Sequence, residues 1–254
     1  MAIYLGIDGC RPGWVLVRCN EVPAFLPPVE IHPDLQAAQP SIQEAQRALI
    51  DMPIGLSNNR EGRRVCDKAA RKLLGLRRSA IFFPPVRPAL AATTYEEACR
   101  LNKRRCGKKI SIQAWYIVPK IRELDQMLRN QPDLQQKLRE SHPELCFWAL
   151  NGKRPLLWPK RSRNGLALRM NLLQKVVPDA EQFLQNELQR LPRTAVSRDD
   201  VIDAMVLALH ASLVERYGFV CLPPDPPRDG EGLPMEIVFA DLPAAPASRL
   251  FDTV

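Results

Sequence analysis

The 254-residue sequence predicts a single α/β domain, residues 1–254, in which helices flank a mixed β-sheet. Short apolar runs bounded by turn residues near the amino terminus indicate strands. An uninterrupted apolar stretch, 204–209, indicates a buried helix late in the chain. Hydrophobic residues make up 46% of the chain and charged residues 25%, which supplies enough apolar surface for a core and excludes disorder as the main state.

The first quarter of the chain predicts most of a sheet. Residues 3–8 and 14–17 read as a hairpin around a turn of glycine and proline residues, and residues 29–32 as a third, short or edge strand, because prolines flank it. Residues 41–48 predict a short helix. The run 48–50 then predicts a buried strand that ends at Asp51 and a proline turn.

The rest of the chain is predicted to be largely helical. The predicted helices lie at 60–74, 94–103, 112–129, 165–175, 179–191 and 197–216. A return to the sheet is expected over 137–145. We expect a helical insertion at about 57–130 and a Pro-rich carboxy-terminal tail at about 222–254, with one edge strand over 235–239.

The positive charge is concentrated in the middle of the sequence. The chain carries a net charge of +8, but residues 57–130 alone hold 18 basic and 6 acidic side chains, a net of +12. A basic region in a slightly acidic frame favours a polyanionic partner, with nucleic acid as the leading candidate. The alternative is that these side chains form the solvated face of amphipathic helices.

The sequence is expected to belong neither to a secreted nor to a membrane-spanning protein. The start of the sequence lacks the pattern of a secretory signal, and no run of about 18 apolar residues predicts a membrane span. The seven cysteines form no C-x-x-C pair and are expected to be reduced thiols of a cytoplasmic protein. With only three histidines, a structural zinc site is not expected.

Four aspartates stand where α/β proteins place their chemistry. Asp8 and Asp51 each follow an apolar strand, and their side chains converge if the two strands are parallel neighbours. Asp200 and Asp203 are three residues apart, so they share one face of the last helix. Each of Asp8 and Asp51 is alternatively a turn residue.

Asp203 precedes the apolar body of its helix, so a positive group should face it. Asp200 also fits a capping box with Ser197. Several carboxylates together favour Mg²⁺ or Mn²⁺ and suit two-metal phosphoryl transfer. Glu144 is a fifth candidate acid, alternatively an acid at a helix start. His142, two residues earlier, fits a packed histidine better than a base.

A set of ordered motifs resembles one family. These are GIDGCRPGWV (6–15), DMPIGL (51–56), CDKAARKLLG and RRSAIFFPPVR (66–87), SIQAW and PKIREL (111–124), SHPELCFWALNG (141–152) and DDVIDA (199–204). These sequence segments are similar to those of the family called domain of unknown function 429, whose members are described as predicted nucleases. The order of elements resembles the ribonuclease-H-like fold, and the carboxylate placement resembles that of RuvC-type resolvases.

The resemblance implies a ribonuclease-H-like mixed sheet and metal-dependent cleavage of DNA or RNA. It also implies catalytic acids at Asp8, Asp51, Asp200 and Asp203, which would hold Mg²⁺ or Mn²⁺, and it draws attention to Glu144. Asp51 stands where the resolvases have a glutamate, one methylene longer. Resolvases of this type often work as dimers, so a homodimer is a further expectation.

The basic residues near these acids are candidate phosphate contacts. They are Arg11 in the first turn, Arg77 and Arg78 before the Pro-rich loop, and Lys120 and Arg122 on the long helix. The alternatives are surface solubility and pairing with neighbouring acids.

Two other functions stay open from the sequence. One is an ATP-binding protein of the actin and sugar-kinase architecture, which also begins with a hairpin that holds an aspartate near phosphate. No second Gly-rich phosphate loop follows a strand, and Asp229-Gly230-Glu231-Gly232 lies in the Pro-rich tail. The other is a module that binds nucleic acid without cleaving it. Two observations distinguish these three functions. Metal affinity favours the nuclease, and stabilisation of the fold by ATP favours the nucleotide-binding protein.

Overall fold

The computed structural model describes residues 2–58, 62–192 and 194–244, and over these residues it has seven strands and nine α-helices. The strands are β1 Ile3–Cys10, β2 Gly13–Asn20, β3 Phe25–His32, β4 Arg47–Ile50, β5 Leu138–Glu140, β6 Phe219–Leu222 and β7 Ile237–Ala240. The helices are α1 Leu35–Glu44, α2 Val65–Leu74, α3 Tyr95–Cys106, α4 Ile112–Asn130, α5 Leu134–Lys137, α6 Pro143–Leu150, α7 Arg163–Gln174, α8 Ala180–Arg190 and α9 Arg198–Tyr217. Two short 3-10 helices cover Gly75–Ala80 and Arg87–Ala91.

Five strands form one mixed sheet in the order β3-β2-β1-β4-β5. The first three strands are antiparallel neighbours joined by short turns, whereas β4 and β5 run parallel to β1. The parallel strands require crossovers, which the chain makes through α1 and through the long helical segment between β4 and β5. The predicted fold class, a ribonuclease-H-like mixed sheet with flanking helices, is confirmed.

Both faces of the sheet are covered. Along β1, Tyr4 lies in the apolar core that contains α9, and Leu5 and Ile7 lie in the core that contains residues of α1 and α4. Side chains alternate between the faces of a strand, so Gly6 and Asp8 share the α9 side with Tyr4. The alternation therefore directs the carboxylate of Asp8 toward the buried helix.

The last helix lies directly against β1 because Gly6 has no side chain. A Cβ atom at Gly6 would lie 2.0 Å from the backbone oxygen of Ala204 and 2.3 Å from the backbone nitrogen of Ala208. Real side-chain atoms do not approach backbone this closely. Glycine in the strand and alanine in the helix thus set the distance between β1 and α9, and with it the position of Asp203.

Two boundaries near the amino terminus and in the basic segment differ from the predicted ones. The helix predicted at 41–48 is α1, which begins at Leu35 because the Asp34 side chain accepts a hydrogen bond from Ala37 N. The strand β4 already begins at Arg47, where it pairs with Tyr4. The first helix of the basic segment begins at Val65; Arg60, its predicted start, lies outside the described residues.

The carboxy-terminal strand is not an edge strand of the main sheet. Strand β7 pairs with β6 in a separate two-stranded antiparallel sheet. Ser141, which follows β5, donates a hydrogen bond to Val238 O at 2.6 Å and so attaches this hairpin beside β5. Residues 245–254 of the predicted Pro-rich tail lie outside the described residues.

Within the described part of the chain, the segment between β4 and β5 contains helices and loops but no strand until β5 begins. Several of its cations serve the fold. Arg64 is buried and binds Asp67 and Glu140 at 2.6 Å, and Arg87 binds Asp125 at 2.7 Å. The net positive charge of this segment is therefore larger than the charge that is available to a partner.

None of the helices over residues 2–58, 62–192 and 194–244 has the length and apolar character needed to cross a membrane.

Candidate active site

A pocket of about 390 Å³ opens where β1 and β4 end. Ile7 and Ile50 are partners in the parallel ladder, and Asp51 N donates a hydrogen bond to Ile7 O at 3.0 Å. The next residues, Asp8 and Asp51, therefore stand side by side at the carboxyl ends of neighbouring strands, and both line the pocket. The two strands are parallel neighbours, which is the arrangement that the convergence of Asp8 and Asp51 requires.

Helix α9 adds the third carboxylate. Asp203 is buried with 3% of its surface exposed, lies one residue before the Ala204 that contacts β1, and lines the same pocket. The side chains of Asp8, Asp51 and Asp203 thus come from two strands and one helix, and they face a common space. Three acids so close together need a positive charge.

Lys160 supplies that charge from the loop between α6 and α7. Its Nζ lies 2.7 Å from Asp203 Oδ2 and 3.7 Å from Asp199 Oδ2. The side chain is 42% exposed, so the ammonium reaches into the pocket from its solvent side. This is the positive partner that the burial of Asp203 led us to expect.

The acids raise one another's proton affinity. Burial, and then the neighbouring carboxylates of Asp51 and Asp203, hold the pKa of Asp8 well above its usual range. Burial raises the pKa of Asp203 to about 6, although Lys160 and then His142 act in the opposite direction. The pKa of Lys160 is raised because Asp203, Asp8 and Asp51 outweigh its desolvation. The pocket is therefore short of positive charge even with the lysine in place.

Asp200 is not brought into the pocket. Its side chain accepts a hydrogen bond from Ser197 N at 2.9 Å, and Ser197 Oγ accepts one from Asp200 N at 3.3 Å. This is the capping box that the sequence offered as an alternative. Asp200 contributes to the charge near Asp8 but does not line the space between the other three acids.

Glu144 lines the pocket as one member of a buried ion pair. Its Oε2 lies 2.6 Å from Arg169 Nη2, and its Oε1 accepts from Arg77 Nε at 3.1 Å. His142 Nδ1 accepts from Glu144 N at 3.1 Å and so caps α6, while its ring lines the pocket. When His142 is neutral its proton is on Nε2, since Nδ1 is an acceptor.

The predicted phosphate contacts differ in their availability. Lys120 lines the pocket, donates to Gly13 O and lies 4.7 Å from the centre of the Trp14 ring. Arg122 is committed to the fold, because its guanidinium donates to Leu90 O at 2.6 Å and Ala92 O at 3.0 Å. The remaining candidates are Arg11 and Arg78, both exposed, and Arg77, half-buried on Glu144.

A second groove continues from the acidic pocket. It shares Ile81 and Phe82 with the pocket, is lined by Arg63, Arg71 and Phe83, and ends at Lys108 and Lys109. The guanidinium groups of Arg63 and Arg71 lie 4.4 and 5.0 Å from the centre of the Phe83 ring. The two depressions therefore adjoin at Ile81 and Phe82, and the second one is lined by basic side chains.

We call this surface the basic ridge; it is formed by the exposed side chains of Lys103, Arg104, Arg105, Lys108 and Lys109. Arg105 donates to Asn58 O at 2.7 Å. No ion pair joins the other four to an acidic side chain of the described residues. The ridge is therefore one part of the basic segment whose charge is free to meet a polyanion.

Two further charged residues of the site, Lys160 and Arg169, are not predicted by any sequence pattern. A lysine in a loop carries no pattern of its own, and only the unpaired Asp203 pointed to a partner. Arg169 is 1% exposed on α7, where it balances Glu144. The buried Glu144 was the only available signal for it.

Fold and site together define the class: an α/β protein with a ribonuclease-H-like sheet and an acidic pocket at the carboxyl ends of its central parallel strands. The chain belongs to the family described as Protein of unknown function (DUF429), whose model matches residues 6–228. This confirms the resemblance seen in the motifs. Neither the curated proteins nor the solved structures include a match.

Proposed function

We propose that this chain is a nuclease that hydrolyses phosphodiester bonds with the help of Mg²⁺ or Mn²⁺. The observation that carries the proposal is the convergence of Asp8, Asp51 and Asp203 from β1, β4 and α9 in one pocket. Carboxylate oxygens are the ligands that these hard cations prefer. Burial, and then the carboxylates of Asp51 and Asp203, raise the pKa of Asp8, so a cation bound beside it would stabilise its ionised form.

The donor chemistry suits a divalent ion, which Asp8, Asp51 and Asp203 would hold once their side chains close on it; over the described residues, no three His, Cys, Asp or Glu side chains are already arranged to hold a metal ion. A bound ion would polarise the phosphoryl oxygen and activate a water molecule. The side chains of Lys160 and Lys120, which both line the pocket, would orient a bound phosphate and neutralise its negative charge. The ring of His142 lines the same pocket as Asp203 and is held at the pocket wall by its capping bond with Glu144 N.

The groove and the basic ridge support nucleic acid as the substrate class. A phosphodiester backbone is a repeating anion, and the path from the pocket over Phe82 to Lys108 and Lys109 offers repeated positive charge beside an aromatic surface. The contacts proposed for the nucleic acid are Arg11, Arg77, Arg78 and Lys120.

Cytoplasmic location and a homodimer are part of the same proposal. The seven cysteines are unpaired, which supports a reducing compartment.

The Gly-containing segment at 229–232 does not favour the alternative function, an ATP-binding protein. Asp229 there accepts hydrogen bonds from Leu56 N at 2.8 Å and from Arg87, which is a structural task.

Cleavage of labelled single-stranded and double-stranded DNA and RNA, with Mg²⁺ or Mn²⁺, tests the proposal. We expect cleavage by the natural protein and its loss in Asp203→Asn, by a factor of about 100 or more, since the variant removes a ligand charge. Asp200→Asn is the matched control, because it changes an acid on the same helix that caps the helix and stays outside the pocket. It should cleave almost normally.

Equal cleavage by the natural protein and Asp203→Asn would overturn the proposal. Binding of oligonucleotide without cleavage under any of these conditions would favour the non-catalytic binding module instead.

A further inference from the structure

The pocket that we propose for a divalent ion already contains a cation. Lys160 Nζ lies 2.7 Å from Asp203 Oδ2, the distance of a strong charge-assisted hydrogen bond. Over the residues that the structure describes, no three His, Cys, Asp or Glu side chains are arranged to hold a metal ion. The ammonium group of Lys160 instead pairs with Asp203 at the wall of the pocket that Asp8 and Asp51 also line.

A second carboxylate, that of Asp199, is available to pair with Lys160. Asp199 Oδ2 lies 3.7 Å from the same Nζ, and Asp199 is one helical turn before Asp203 on α9. The side chain of Lys160 is 42% exposed and comes from a loop, so it can turn toward Asp199 without disturbing the core. A short movement would free Asp203 and leave the ammonium paired.

We propose that Lys160 is the resident counter-ion of the pocket and competes with the divalent ion for Asp203. The ammonium stabilises the three acids in the metal-free protein and moves toward Asp199 when an ion binds. Lys160 thereby lowers the affinity of the site for metal. This inference rests on the proposed function, because it assigns to Lys160 a role toward the same ion.

Mn²⁺ titration calorimetry on the full chain, without nucleic acid, tests this role by a readout other than activity. Lys160→Met removes the competing charge and is expected to bind Mn²⁺ about tenfold or more tightly than the natural protein. Lys160→Gln keeps a hydrogen-bond donor for Asp203 without the charge. It is expected to raise the affinity as well and serves if the methionine variant does not fold.

Arg161→Met is the matched control. Arg161 is the next residue, carries the same charge, and binds Asp199 at 3.1 Å without contacting Asp203. Its loss changes the general charge of the loop but leaves the competitor in place, so the Mn²⁺ affinity should stay within about threefold of the natural value. Lys160→Arg, which retains a cation, should likewise stay close to the natural value.

An affinity in Lys160→Met and Lys160→Gln that is equal to or lower than that of the natural protein would overturn the competition while leaving the metal site standing. An equal gain in Arg161→Met would also overturn it, since it would reduce the effect to net charge. Failure of the natural protein and both Lys160 variants to bind Mn²⁺ would overturn the proposed function together with this inference.

Discussion

At the scale of single residues, two acids on the same face of α9 have different tasks. Asp203 lies in the pocket on Lys160, whereas Asp200 closes a capping box with Ser197. Their spacing of three residues placed them on one face of a helix, but a helix face is wide enough for one side chain to point into the pocket and the other to turn back to the helix end. Burial, not spacing, separates the two.

Glu144 is held by its ion pair with Arg169, and we expect this pair to stabilise the fold. The two side chains are 6% and 1% exposed and lie 2.6 Å apart. Glu144→Gln leaves the guanidinium buried without its charge partner, so the free energy of unfolding should fall by about 3 kcal/mol in urea titrations.

The matched control is Glu181→Gln, whose partner Arg198 is 3.8 Å away on the surface. It should change the free energy of unfolding by less than about 0.5 kcal/mol. Unchanged stability in Glu144→Gln with complete loss of cleavage would instead make Glu144 a catalytic acid.

His210 predicts a pH dependence of stability. It is fully buried on α9, and its Nδ1 accepts a hydrogen bond from Ala240 N at 3.1 Å. Burial lowers the pKa of His210 from 6.5 to about 3. The unfolded chain thus binds a proton more readily below pH 6.5, so the contribution of this histidine is fully present above pH 6.5 and is lost as the pH falls toward 3.

His210→Asn tests this dependence, because its amide oxygen can accept the bond from Ala240 N but does not titrate. The free energies of unfolding in urea of the natural protein and the variant should converge as the pH is lowered from 7 to 4. Only the natural protein loses stability over this range, because its histidine takes up a proton more readily in the unfolded chain. A constant difference between the two across this range would contradict the account.

At the scale of elements, the contact between β1 and α9 positions the site. Gly6→Ala places a methyl group against the backbone of Ala204 and Ala208. We expect the helix to be pushed from the strand and the free energy of unfolding to fall by roughly 1–3 kcal/mol. The movement would also carry Asp203 away from Asp8.

Gly230→Ala is the matched control for this change. No heavy atom lies within 4 Å of a Cβ atom built at Gly230, so this variant should unfold at nearly the natural urea concentration. Equal stability of Gly6→Ala and the natural protein would show that the contact does not fix the helix.

The elements were largely predictable from the sequence, and the errors have physical reasons. The hairpin, the strand before Asp51, and α4 and α9 follow from apolar periodicity and capping residues such as Ser111 and Ser197. Helix α1 begins at Leu35, before the predicted residue 41, because the Asp34 side chain caps it there. The sheet to which 235–239 belongs depends on contacts distant in sequence, such as that between Ser141 and Val238, which periodicity does not encode.

The site was predictable to a smaller extent. The ends of β1 and β4 could be located because an aspartate stands at the end of each apolar run, and parallel pairing then made them neighbours. Lys160 and Arg169 could not be located, because an ion pair formed across the fold leaves no local pattern. The sequence could only indicate that the buried acids need such partners.

At the scale of the whole molecule, the charge of the basic segment divides between the fold and the surface. Arg64, Arg87 and Arg122 stabilise buried or half-buried contacts, while the basic ridge stays exposed. Lys108→Ala with Lys109→Ala should therefore weaken oligonucleotide binding. The slope of the logarithm of affinity against the logarithm of salt concentration should decrease by about 0.7 to 0.9 for each phosphate that the variant no longer neutralises.

The control is the pair Arg163→Ala with Lys175→Ala, which removes two exposed positive charges on α7 and at its end. It lowers the net charge equally but leaves the groove intact, so its salt dependence in fluorescence anisotropy should match that of the natural protein. Equal weakening by both pairs would make the effect one of net charge and would remove the argument for a path along the groove.

The whole account depends on Asp8, Asp51 and Asp203 acting together on one ion. Calorimetric titration of Mn²⁺ into the natural protein, Asp8→Asn and Asp51→Asn measures this directly, since the two variants change different strands. We expect the natural protein to bind Mn²⁺ and each variant to lose at least about tenfold in affinity. Binding that is absent from the natural protein, or unchanged in both variants, would contradict a shared metal site at the ends of β1 and β4.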